Sequence, residues 1–218
     1  MTTLRRCQGF AEAPIALIAL ILTIVLVISA PVWFRGSALS PLLGYLAVWV
    51  PLLGAVLVAI VCSRSVATGF GLSIRPIDLL WGIGVGLLLR VAAILIEITV
   101  YGRAAPAATL DDGWLLFTAV LPPTVIAPVV EELFFRGLLL RTLERLAGRD
   151  TVVAVSSTAF AARHLLTATT LAQLLVVGLS TFAFGVAAGA LAVVTRRIGG
   201  AIIAHVALNA VVVVPGLF

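Results

Sequence analysis

The sequence predicts an all-α protein, a polytopic membrane bundle of about seven transmembrane helices, with six to eight within range. Three observations lead there. Of 218 residues, 62% are hydrophobic and only 11% charged, with a mean hydropathy of +1.26, a composition far more apolar than a water-soluble domain. Apolar runs of roughly 20 residues, the length that crosses a ~30 Å hydrocarbon core at 1.5 Å per residue, recur along the whole chain. The charged residues gather between those runs.

The runs are Pro14 to Trp33, Leu42 to Cys62, Leu79 to Tyr101, Trp114 to Leu140, Val152 to Leu166, Leu171 to Val194 and Ile198 to Phe218. The first follows Arg5 and Arg6, as a signal peptide would, but it exceeds a signal h-region of roughly 7 to 15 residues and is expected to stay as a span. The fourth holds Pro122, Pro123 and Pro128. Proline lacks a backbone donor, so an irregular entry is expected there, followed by a regular helix from about Pro128. The fifth is short for a span. No repeat, low-complexity tract or long linker divides the chain, so residues 1–110 and 111–218 are expected to form one membrane domain.

All 14 basic residues are arginine, and the formal net charge is +5. Arg5, Arg6, Arg64, Arg75, Arg141, Arg145, Arg149, Arg196 and Arg197 fall at one set of helix ends. Arg35 and Arg103, with Asp111 and Asp112, fall at the other. This asymmetry fits the positive-inside rule, with the N-terminus cytoplasmic, a cell-membrane location and, for seven spans, an external C-terminus. Arginines at helix ends argue for a lipid bilayer as the partner and against nucleic acid. Cys7 and Cys62 lack metal-ligand spacing and lie near the face expected to be cytoplasmic, so no disulfide framework is implied.

Ionisable groups inside spans are costly and usually face a bundle interior or a wet cavity. Here they are Arg90 and Glu97 in the third run, Glu131, Glu132 and Arg136 in the fourth, Arg163 and His164 in the fifth, and His205 in the seventh. Counted from the same helix ends, Glu131, His164 and His205 come to about 15, 18 and 10 Å below one face, depths compatible with a shared site. Glu132 and Arg136 are i and i+4 and share a helical face, whereas Glu131 points about 100° away and is the carboxylate left for general-base work. His205 and Asn209 are also i and i+4, so an imidazole and an amide could converge on a developing oxyanion. Arg90 and Glu97, seven residues apart, suit a structural ion pair. A purely structural polar cluster is the competing reading of all these groups.

Three motifs carry a resemblance. Glu131-Glu132-Leu-Phe-Phe-Arg136, Phe160-Ala-Ala-Arg-His164 and His205-Val-Ala-Leu-Asn209 match, in order, the EExxxR, FxxxH and HxxxN motifs of the CPBP family, the CAAX protease and bacteriocin-processing proteins. The similarity covers roughly residues 114 to 212, and Arg163 departs from the family pattern. The resemblance implies an intramembrane endopeptidase acting on a membrane protein or peptide. It implies that Glu131 activates the attacking water with His164 assisting, that His205 and Asn209 stabilise the oxyanion, and that Glu132, Arg136 and Phe160 support the site. Zinc held by Glu131, His164 and His205 is possible, and a metal-free mechanism needs the same residues. The alternative function is a non-proteolytic membrane immunity or scaffold protein of the same family. A proton-coupled transporter is a third reading, and the sequence lacks the inverted repeat or paired broken helices expected of one. The arginine-only, Ala- and Val-rich composition looks bacterial.

Overall fold

A computed structural model of the protein describes residues 2–33, 40–62, 69–103 and 120–213, with the side chains of 2–11, 31, 40–41 and 212–213 also outside the description. The positions of Arg35, Arg64, Asp111, Asp112, Trp114 and Phe218, and the side chains of Arg5, Arg6 and Cys7, therefore lie outside the described residues. The described residues form helices and their connections, with no strand among them. The helices are α1 (Thr2–Trp33), α2 (Ser40–Cys62), α3 (Pro76–Tyr101), a composite α4 from Pro122 to Leu143, α5 (Arg149–Leu165), α6 (Leu171–Thr195) and α7 (Gly199–Val213).

Among the described residues four stretches are long and apolar enough to cross a membrane: Glu12–Ala30, Leu42–Cys62, Pro76–Tyr101 and Leu171–Thr195. Their outer faces present Leu17, Ile21, Leu80, Trp81, Leu88 and Leu175, the surface of a protein solvated by lipid. This is fewer than the seven runs read from the sequence. The remaining helices, α4, α5 and α7, are shorter or interrupted, and they are the ones that carry Glu131, His164 and His205.

The expectation of a regular helix after Pro128 holds only as far as Glu132. Composite α4 runs as a π turn at Pro122–Ile126, an α segment at Ala127–Glu132, a second π turn at Leu133–Leu139, and a last α turn at Leu140–Leu143. The wider i→i+5 turns leave carbonyls that side chains of other helices satisfy. Ser156 of α5 donates to the Phe135 carbonyl at 3.2 Å, and Asn209 of α7 donates to that of Pro123 at 2.8 Å. The second bond has a local cause. In the register set by the Ala127 N–H bonding Pro122, the partner of Pro123 is Pro128, which has no N–H to give.

Helix α4 runs through the middle of the bundle and touches α1, α2, α5, α6 and α7, while α1 pairs with α2, α3 with α7 and α5 with α6. The core joins Phe134, Phe135 and Leu138 of α4 to Leu52 of α2, Phe160 of α5 and Phe184 of α6. Small residues set the closest approaches. A Cβ on Gly82 of α3 would stand 2.6 Å from the Ile203 side chain, and one on Gly86 would run into the Ala204 carbonyl. On α6, a Cβ at Gly185 would lie 2.9 Å from the Ser157 backbone of α5. Leucine or valine at these places would force the helices apart.

Four arginines of the arginine-rich helix ends meet acidic partners. Arg145 bonds Glu12 at 2.6 Å, and Arg141 and Arg196 share Glu144 at 2.9 and 3.0 Å. Arg197, in the α6–α7 connection, bonds Asp78 of α3 at 2.7 Å, and that carboxylate raises the guanidinium's pKa further. Gly71, at φ +65°, lets the segment before α3 meet this connection, where the Ile198 N–H donates to its carbonyl at 2.9 Å.

Candidate active site

Adjacent residues of α4 divide the work by direction. Glu132 turns into the core, where Arg136, one turn on, donates to its Oε1 at 2.8 Å, and both side chains are fully buried. Three things hold the guanidinium: the carboxylate, the Gly185 carbonyl at 3.3 Å, and the Phe160 ring with its centroid 4.6 Å away. Glu132 Oε1 also accepts from His205 Nδ1 at 3.0 Å. A carboxylate engaged with arginine accepts, so Nδ1 carries the proton of this bond.

Glu131, about 100° round the helix and 3% exposed, lines a cavity of about 400 Å³. The α5, α6 and α7 residues Phe160, Arg163, His164, Phe184, His205 and Asn209 line the same cavity. All four residues expected to act directly, Glu131, His164, His205 and Asn209, thus meet at one space, with Phe160 among them. Glu132 and Arg136 stand behind it.

His164 is oriented by its own helix. Nδ1 lies 2.8 Å from the Phe160 carbonyl, and since a carbonyl only accepts, this nitrogen carries the proton. Nε2 then faces Glu131 Oε2 at 3.7 Å and accepts from Arg163 Nη2 at 2.8 Å. The Phe160 ring packs against the imidazole, centroid to centroid 4.4 Å.

Three findings differ from the sequence reading or extend it. Arg163, the departure from the family pattern, lines the cavity and donates from Nη2 to Glu131 Oε1, so the carboxylate left for general-base work carries a cation. Asn209, expected to converge with His205, spends an N–H on the Pro123 carbonyl. Arg90 and Glu97 do pair, at 3.2 Å, and they also line the cavity.

Sequence reasoning missed the contributions of α2 and α6. Tyr45 and Trp49, stacked at 5.2 Å, bring the N-terminal half into the cavity wall. Ser180 lines it too, with a buried hydroxyl that has no partner among the described residues. A hydroxyl in the middle of an apolar 25-residue helix was a usable signal; two aromatics on an apolar helix were not.

Buried carboxylates, imidazoles and an arginine around one cavity are equipment for moving a proton and holding a developing negative charge. No curated protein and no solved structure matches the chain. Residues 113–211 do match the family model described as Rce1-like, type II CAAX prenyl endopeptidase. With the three motifs and the helical membrane architecture, that match makes residues 113–211 of this chain similar to the Rce1-like CAAX endopeptidases of the CPBP family.

Proposed function

We propose that the protein is an intramembrane endopeptidase that hydrolyses a peptide bond of a membrane-associated protein or peptide, with Glu131 activating the water. The observation that carries this reading is the placement of Glu131, buried at the wall of the cavity and 3.7 Å from the Nε2 of His164. The carboxylate accepts a proton from water, the water oxygen attacks the scissile carbonyl, and the proton passes to the departing amine. His164, tethered by its Nδ1–H to the Phe160 carbonyl, keeps Nε2 beside that water. Glu132, Arg136 and Phe160 fix α4, α5 and α7 relative to one another.

The donor set of Glu131, His164 and His205 does not fit zinc as arranged. Among the described residues no three His, Cys, Asp or Glu side chains form a group that could hold a metal. Arg163 Nη2 bonds both Glu131 and the His164 Nε2 that would have to ligate, placing a fixed cation among the would-be ligands. The reading therefore routes no step through a metal.

The protein is proposed to lie in the cell membrane with its N-terminus cytoplasmic, on the strength of the arginine-rich helix ends. The test of function compares new protein N-termini in cells carrying the wild type or Glu131→Gln at matched abundance. Termini absent from the variant support proteolysis and name the substrate. Identical termini under several growth conditions would transfer the reading to the immunity or scaffold role.

A further inference from the structure

The hydrolytic reading needs donors for the negative charge that leaves Glu131 and appears on the carbonyl oxygen, and each of the two residues expected to supply them already gives one N–H elsewhere. Asn209 donates to the Pro123 carbonyl, a bond required because Pro128 offers no N–H. His205 gives its Nδ1–H to Glu132. Arg163 has donors to spare. Its Nη2 serves Glu131 and His164, its Nε bonds no partner, and its Nη1 makes no hydrogen bond to another described residue. The side chain lines the cavity and is 12% exposed.

We propose that Arg163 is a catalytic residue of this chain, the cation that stabilises the oxyanion of the tetrahedral intermediate; this rests on the Glu131 hydrolytic reading. The charge accounting supports it. Before attack, Arg163 neutralises the Glu131 carboxylate. In attack, a water proton moves to Glu131, the water oxygen bonds the carbonyl carbon, and the carbonyl π pair moves to its oxygen. Glu131 is then neutral, and Arg163, relieved of its counterion, turns its N–H groups to the new anion without any change in net charge in the site. On collapse the oxygen pair re-forms the carbonyl, the C–N bond breaks, and the nitrogen takes the proton from Glu131, which restores the original ion pair. A guanidinium suits this exchange because it stays charged throughout and offers several N–H groups in one plane.

The test uses membrane vesicles from cells expressing the full chain, measuring how fast Glu131-dependent protein N-termini appear per molecule of enzyme. Arg163→Ala is expected to slow them by about 100- to 1,000-fold, the usual consequence of removing an oxyanion donor. Added guanidinium ion should restore a saturable part of that rate in Arg163→Ala, with no change in its melting temperature, and none in Glu131→Gln. A wild-type rate in Arg163→Ala would overturn the proposal, as would a loss that guanidinium does not relieve or relieves only while raising the melting temperature. Should Arg163→Ala fail to accumulate, Arg163→Lys keeps the charge and loses the fork: a reduced rate at wild-type melting temperature supports the assignment, and a wild-type rate overturns it. Absence of any Glu131-dependent terminus sinks the hydrolytic reading itself, whereas Glu131-dependent termini indifferent to Arg163 sink this inference alone.

Discussion

Arg136 is the residue on which the buried polar structure depends most. Its guanidinium joins Glu132, the Gly185 backbone and the faces of Phe160 and Phe184, and it has no exposed surface. Arg136→Ala would leave Glu132 as a buried carboxylate with only His205 for company, and breaking a buried pair typically costs about 3 to 5 kcal/mol. Thermal unfolding of the purified variant should show that loss as a lower melting temperature and lower yield. Unchanged values would mean that the pair contributes nothing. This pair was legible in the sequence because i and i+4 spacing brings side chains together whatever the helix packs against. The partner of Arg163 was not, because it depends on how α5 is rotated against α4, and no local spacing encodes that. Asn209 shows the same limit: its spacing from His205 was readable, but the claim of the Pro123 carbonyl on its amide arises from a π turn on another helix.

At the scale of elements, α3 is the support on which α7 rests. Gly82 and Gly86 let the two helices approach closely enough for α7 to carry His205 into the site. Gly86→Val would drive branched carbon into the Ala204 carbonyl, one residue before His205. It should therefore lower activity even though α3 carries no CPBP motif; a change that only overpacks a helix contact typically costs about 1 to 3 kcal/mol. The check is to measure both melting temperature and rate in Gly86→Ser and Gly86→Val, with the larger side chain expected to do more harm to each. A fully active Gly86→Val would show that α7 is positioned without α3. The prolines of α4 announced an irregular entry in the sequence. The second π turn, at Leu133–Leu139, contains no proline and left no such signal.

Across the whole molecule, the helix number and all-helical class were readable from hydropathy because a bilayer imposes one length and one polarity on every span. The site helices depart from that rule, since their polar residues lower their apolarity and their π turns divide them. The N-terminal half, silent in motif terms, emerges as part of the cavity through Tyr45 and Trp49 of α2 and Arg90 and Glu97 of α3. Orientation belongs to this scale as well. With a cytoplasmic N-terminus and seven spans, alkaline phosphatase fused after Phe218 should be active, and a fusion in the arginine-rich connection around Arg145 should be inactive. The reverse pattern would invert the proposed topology.

The most direct test of the central claim, that Glu131 drives peptide-bond hydrolysis, is to reconstitute the purified protein in liposomes with the membrane substrate named by its new N-termini and to follow cleavage over time. The account predicts product from the wild type and none from Glu131→Gln, with both proteins melting at the same temperature. Cleavage by a folded Glu131→Gln at the wild-type rate would contradict it.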